Sequence, residues 1–155
     1  MTDTPSDWQA DFVVYDSKGR IAAIAEAKKR AGASPTWARQ WYRNYLAHQH
    51  GVTLPFVLLV TPETLYLWKP TGDELRQEPS DAADARSVFT HYLDRSKLNA
   101  NELTGQTFEF LVGTWLNDLT HCVWRPSEPE QQRVLEGSGF LDAVRDGRVV
   151  SDLAA

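Results

Sequence analysis

Two acidic residues and a lysine near the start of the chain have the types and spacing that could form a site for a divalent cation. Fourteen residues separate Asp11 from Glu26, and Lys28 lies two residues further on. If Lys18-Gly19 form a two-residue hairpin turn, Asp11 lies directly opposite Glu26, and Lys28 points to the same side of the sheet. Facing carboxylates destabilise a sheet unless their charge is compensated. A hard divalent cation such as Mg²⁺ supplies that compensation and keeps water molecules for chemistry.

The segments around these residues have the composition of paired strands. Residues 11–16 are rich in β-branched and aromatic side chains, residues 21–28 are apolar almost to their end, and Gly19 suits the positive φ of a turn. The same register places Asp16 opposite Ile21. Neither segment alternates strictly between polar and apolar residues, which predicts a central sheet covered on both faces.

The remaining pattern predicts one α/β domain over residues 1–155, with a mixed sheet in ββαββ order and helices towards the C-terminus. Its core is expected at 10–70 and a helical part at 80–155. The predicted elements after the hairpin are a helix at 36–50, strands at 55–61 and 64–69, helices at 81–95 and 104–119, and a short helical piece at 140–144.

The first predicted helix is amphipathic in an unusual way. Its buried sector contains aromatic residues, among them Trp37, Trp41 and Tyr45, whereas Gln40 lies in the opposite sector. Arg39 and Arg43 share that outer sector, so we expect a basic, amide-bearing surface.

The net charge conceals a strong asymmetry. The chain carries −5 overall, but residues 18–50 hold seven basic residues and one acidic residue, a local charge of +6. Local charge decides which ligands a surface attracts, because salt screens fields beyond about 8–10 Å. A polyanion can therefore dock here, although a solvated basic face is the simpler interpretation. The candidate nucleic-acid contacts are Lys18, Lys29, Arg30, Arg39 and Arg43.

The hairpin with its acidic residues resembles the PD-(D/E)xK nuclease superfamily, which has the restriction-endonuclease-like fold. The resemblance rests on Asp11, the triplet Glu26-Ala27-Lys28 and the element order over about the first 70 residues. It implies hydrolysis of DNA phosphodiester bonds, with Asp11, Glu26 and the Ala27 carbonyl holding Mg²⁺ or Mn²⁺. Lys28 would orient water or neutralise phosphate charge, and Gln40 would face the substrate.

The sequence also departs from that family. Ala10 precedes Asp11 where many members have proline, and Asn44 stands where some relatives place a tyrosine four residues after the helix glutamine. The family usually begins with a helix that often supplies another acidic residue, but only ten residues precede Asp11 here. This predicts an incomplete second metal position or a residue from a second subunit, so a homodimer is a further candidate assembly.

Alternative functions remain open. The same fold can act without catalysis, binding nucleic acid or dimerising, and an antitoxin-like or phage-encoded protein whose acidic C-terminal part contacts a basic partner is a third hypothesis. In a purely structural interpretation, Asp11 caps the hairpin while Glu26 pairs with Lys28 or Arg30.

The amino-acid composition indicates the expected cellular compartment. The 155 residues include a single cysteine, Cys122, and no apolar run of the roughly 20 residues that cross a bilayer. We therefore expect a cytoplasmic protein without a signal peptide or membrane contact. No glycine-rich phosphate loop is present, so no organic cofactor is expected.

Overall fold

A six-stranded mixed β-sheet with helices on both faces forms the α/β fold of this chain. The computed structural model describes residues 10–47, 54–70, 78–99 and 102–151. The strands are β1 (Phe12–Tyr15), β2 (Ile21–Ala27), β3 (Phe56–Val60), β4 (Thr64–Trp68), β5 (Asp81–Asp84) and β6 (Arg148–Ser151). The helices are α1 (Pro35–Ala47), α2 (Arg86–Ser96), α3 (Gly105–Thr120), α4 (Pro129–Gln132) with the π-helical turn Arg133–Gly137, and α5 (Phe140–Val144).

The strands lie in the order β5-β4-β3-β2-β1-β6. Strands β2 and β3 are parallel, and the other neighbouring pairs are antiparallel. Helix α1 connects the two parallel strands, as a parallel pair requires a crossover. The predicted mixed sheet and ββαββ order are thus confirmed.

Both faces of the sheet are covered, as the lack of alternation in the first two strands predicts. Val13 and Ile24 belong to a core under α1, in which Tyr42 stacks on Trp68 with ring centroids 4.5 Å apart. The neighbouring strand residues, such as Phe12, belong to a second core that includes residues of α2, α3 and α5. Central strands buried on both sides need apolar residues at every position.

Two edge strands differ from the prediction. The predicted helix at 81–95 instead begins at Arg86, because residues 81–84 pair with β4 as strand β5. Residues 148–151, for which no strand was predicted, form β6 beside β1. The part of the chain after residue 80 therefore contributes strands as well as helices. None of the helices in the described ranges is long and apolar enough to cross a bilayer.

The hairpin turn also differs from the predicted two-residue form. Tyr15, rather than Asp16, pairs with Ile21, because an irregularity between Val14 and Tyr15 shifts the register by one residue. The Asp16 carboxylate accepts backbone N–H bonds from Lys18 and Arg20 at 2.8 and 2.9 Å, and thereby holds a longer turn. Beyond the irregularity, the pairing follows the predicted register.

The chain enters β6 through a glycine that has no room for a side chain. A Cβ at Gly147 would lie 2.0 Å from the carbonyl oxygen of Tyr15 and 2.8 Å from that of Val144. Both obstacles are backbone atoms, so relief requires β6 to move away from β1. The close contact therefore fixes the position at which the final strand joins the sheet.

We expect Gly147→Ala to lower the free energy of unfolding by about 3 kcal/mol or more, since overpacking against backbone is poorly relieved. Urea unfolding followed by circular dichroism measures the change. Gly105→Ala is the matched control, because a Cβ at Gly105 meets open space. Equal stability of the two variants would contradict this account of β6.

Candidate functional site

Asp11 and Glu26 close the open end of the β1–β2 hairpin through reciprocal hydrogen bonds. Phe12 pairs with Ala25, so the preceding and following residues face each other as predicted. The Asp11 N–H donates to Glu26 Oε2 at 3.0 Å, and the Ala27 N–H donates to Asp11 Oδ2 at 2.8 Å. Each carboxylate thus accepts a backbone bond from the opposite strand, which holds both groups at one sheet end.

Lys28 brings positive charge to this end of the sheet. Its Nζ lies 3.2 Å from Glu26 Oε1, and its side chain is 44% exposed whereas that of Glu26 is 14% exposed. The Lys28 N–H donates to the Val60 carbonyl at 2.8 Å and so continues the pairing of β2 with β3. The ammonium group is therefore fixed near the carboxylates and still reaches solvent.

A third carboxylate comes from α3, far along the chain. Glu109 lies close enough to Asp11 for a side-chain hydrogen bond when one of the two carboxyl groups is protonated. Burial, this bond and the charges of Asp11 and Glu26 raise the pKa of Glu109 to about 7, although Lys28 opposes the shift. Sequence patterns did not single out Glu109, because an acidic residue in an amphipathic helix carries no sign of which strand end it will meet.

Gly113 allows α3 to approach β1 closely enough for this contact. A Cβ at Gly113 would lie 2.9 Å from the Phe12 ring. Gly113 lies one helical turn after Glu109, and Phe12 follows Asp11, so the same close approach brings both carboxyl groups together. A glycine inside a strongly periodic helix is the one sequence signal that could have pointed to this approach.

Glu26 lies in a partly desolvated environment. Burial and the charge of Asp11 raise the pKa of Glu26, while the Asp11 N–H and Lys28 act in the opposite direction. On α1, burial and the nearby charge of Glu26 raise the pKa of Tyr45. Tyr45 is buried on the apolar side of α1, as the helical pattern predicts, and it brings an aromatic ring near Glu26.

The other predicted site residues lie on exposed surfaces. Gln40, Arg39 and Arg43 are exposed on α1, and Arg39 pairs with Glu78 at 3.3 Å. Their placement on the outer side of the helix agrees with the predicted face.

The predicted basic contacts do not form one group. Lys29 and Arg30 directly follow Lys28, and the Arg30 guanidinium lies over the Trp37 ring at 5.0 Å. Lys18 lies in the hairpin turn, at the opposite end of β1 from Asp11. The structure therefore separates Lys18 from the carboxylates.

The donor set suits a hard cation, but its arrangement is not a complete metal site. Carboxylate and carbonyl oxygens are the ligands that Mg²⁺ and Mn²⁺ prefer. Within the described ranges, no group of three or more histidine, cysteine, aspartate or glutamate side chains converges to hold a metal ion. Backbone N–H groups and Lys28 already engage Asp11 and Glu26, so an incoming cation would have to share or replace these contacts.

No family model, curated protein or solved structure matches the chain significantly. Function must therefore be argued from the chemistry of the site, since an α/β fold hosts many activities.

Glu109 should impose a pH dependence on stability. Its pKa is higher in the folded chain than the ordinary value of 4.5, so folding favours its protonated form. This contribution is complete below about pH 4.5 and is lost as the pH rises through about 7. Glu109→Gln removes the ionisable group. The stability of this variant relative to the parent should therefore rise by about 1 kcal/mol between pH 5 and pH 8, after allowance for solvent screening.

Urea unfolding at several pH values measures that difference. Glu136→Gln, at an exposed position of the π-helical turn, is the control for the loss of one carboxyl group and is measured at the same pH values. A difference between Glu109→Gln and the parent that stays constant from pH 5 to 8 would show that Glu109 does not share the acidic cluster.

Proposed function

We propose that the chain is a metal-dependent nuclease domain that hydrolyses phosphodiester bonds of DNA, with a restriction-endonuclease-like core. One observation carries the proposal: Asp11 and Glu26 are held together beside Lys28 at one end of a mixed sheet, and Glu109 lies close enough to Asp11 for the charges of Asp11 and Glu26 to raise its pKa. A group of desolvated carboxylates with a shifted pKa beside a lysine is typical of catalytic sites.

The roles follow from position and chemistry. Asp11, Glu26 and the Ala27 carbonyl would hold Mg²⁺ or Mn²⁺, and the bound ion would polarise the phosphate and lower the pKa of a water molecule. Lys28 keeps an exposed ammonium beside Glu26, where it can hold a phosphate oxygen and stabilise developing negative charge. Glu109 supplies a further carboxylate on the Asp11 side.

Glu109 also bears on the largest departure from the resembled family. Members of that family often take an additional acidic residue from a helix before the hairpin, whereas α3 follows the hairpin by about eighty residues. Chain order does not limit which groups meet in space. The additional carboxylate near Asp11 comes from α3 of the same chain, so no second subunit is needed to supply it, and this supports the proposal.

DNA as substrate is favoured by the charge next to the cluster. Lys29 and Arg30 are exposed and continue directly from Lys28. On α1, Arg43 and Gln40 add further exposed donors over the same face of the sheet. These groups can neutralise phosphates along a strand while the acidic cluster acts on one of them.

A non-catalytic nucleic-acid-binding module is the second candidate. The reciprocal hydrogen bonds of Asp11 and Glu26, and the incomplete metal geometry within the described residues, favour it. In that case the carboxylates only close the hairpin, while the basic groups still bind the polyanion.

Glu26→Gln separates the two candidates, because it keeps the shape of the side chain and removes its charge. We expect at least a hundredfold loss of Mg²⁺- or Mn²⁺-dependent cleavage of plasmid and of single-stranded oligonucleotides. The reason is that the metal ion and Lys28, which would both stabilise developing negative charge, lose the carboxylate beside them. Glu136→Gln should keep full activity. Thermal shift with Mn²⁺ should report stabilisation of the parent and not of Glu26→Gln. Failure of the parent to cut either substrate with either ion would refute the catalytic proposal.

Two exposed lysines test where DNA binds. Lys29→Glu should weaken binding of a short DNA by several fold and reduce the salt dependence of the affinity, because a phosphate contact is lost next to the cluster. Lys18→Glu makes the same charge change at the opposite end of β1 and should have little effect. Fluorescence anisotropy in EDTA at several salt concentrations measures both. Equal losses in the two variants would indicate that only the overall charge matters.

A further inference from the structure

A groove of about 530 Å³ lies beside the acidic cluster, between α3 and the edge strand β6. Its principal lining residues are Phe110, Gly113, Thr114, Asn117, Val149 and Ser151. The four residues from α3 recur at intervals of three and four, so they form one continuous face of that helix.

The groove is directly continuous with the candidate active site. Glu109, which lies close to Asp11, is one of the residues that line the groove. Phe12, which follows Asp11, lies at the bottom of the groove because Gly113 has no side chain to cover it. A ligand that reaches the acidic cluster therefore has an adjoining space for its neighbouring part.

The residues that line the groove indicate which kind of chemical group on the ligand would fit there. Among the residues that the structure describes, none lining the groove is a lysine, arginine or histidine, and Glu109 adds negative charge, so a phosphate is disfavoured. Phe110 presents an aromatic ring that is 68% exposed, an unusual exposure for a large apolar side chain. Thr114 and Asn117 add polar atoms beside it. The surface thus suits a flat, neutral group with hydrogen-bonding edges.

We propose that this groove binds one unstacked nucleobase of a single-stranded nucleic acid, next to the phosphate that lies at the acidic cluster. The inference rests on the proposed function and deepens it, because it names single-stranded ends or loops as the preferred substrate. A base in a duplex is stacked on both faces and cannot enter the groove, whereas an unpaired base stacks readily on an aromatic side chain.

Binding without cleavage tests the groove. A single-stranded oligonucleotide with 2-aminopurine is titrated into the protein in EDTA, and its fluorescence quenching reports stacking. Phe110→Ala should weaken this binding by about 5- to 150-fold, as for the loss of one base–aromatic stack, and should leave duplex binding unchanged. Phe110→Trp should restore both quenching and affinity.

Val123→Ala is the matched control, since Val123 is the other large apolar residue exposed within the described ranges, at 71%. It should bind as the parent does. Unchanged single-strand affinity in Phe110→Ala, or an equal loss for duplex, would overturn the base site. So would a dimeric parent that becomes monomeric in Phe110→Ala by sedimentation, because a second copy would then cover the groove.

The binding titration, together with cleavage assays of the parent and Phe110→Ala, distinguishes failure of the base site from failure of catalysis. Phe110-dependent binding by a parent protein that never cleaves would uphold the base site and refute the nuclease. Cleavage of single and double strands at equal rates, with Phe110→Ala fully active on both, would uphold the nuclease and refute the base site.

Discussion

The close placement of the Asp11 and Glu26 carboxylates is the constraint on which the rest of the site depends. Two carboxylates face each other where β1 begins and β2 ends, and each accepts a backbone N–H bond from the opposite side of the hairpin. Charge-assisted bonds of this kind are stronger than neutral ones, so they fix the geometry while they offset part of the repulsion. Lys28 offsets more of it, and the raised pKa of Glu109, about 7, means that this third carboxyl group is only partly charged near neutral pH.

Three parts of the fold meet to produce this arrangement. The antiparallel hairpin places the two carboxylates, and the parallel pairing of β2 with β3 fixes Lys28 through its backbone. The contact of Gly113 with Phe12 then sets the distance of α3 from the sheet. Each part is positioned by its own core contacts, so the acidic cluster follows from the packing on both faces.

Local patterns in the sequence were sufficient for the two strands of the hairpin and for α1, whose predicted last residues, 48–50, lie outside the described residues. The strands 11–16 and 21–28 pair in the predicted register near Asp11, since apolar residues buried on both sides leave few alternatives. The turn differed because the Asp16 carboxylate bonds its own backbone and stabilises a longer loop. Here the side-chain chemistry of one residue overrode the simplest turn length.

The residues that local patterns could not place depend on distant contacts. Strand β5 has the sequence Asp-Ala-Ala-Asp, with little strand propensity, and forms because β4 offers an unpaired edge. Strand β6 likewise exists only beside β1. Glu109 reads as an ordinary helix residue until the fold brings α3 to Asp11. A local pattern carries no information on such partners, whereas Gly113 marks where an element comes close.

The energetic cost of the cluster argues for a role beyond closing the hairpin. Backbone N–H groups of Asp11 and Ala27 could be satisfied by amide oxygens of asparagine or glutamine without any repulsion. The chain instead keeps ionisable groups in a place where burial opposes their charge. Burial is the largest cause of the raised pKa of Glu26 and of the pKa of about 7 for Glu109. A third carboxylate adds repulsion and closes no strand. Groups held at such a cost are typical of sites selected for binding or catalysis rather than for stability. An incoming cation would relieve the repulsion that Lys28 only partly offsets, so the feature that destabilises the free chain would favour binding of a metal ion.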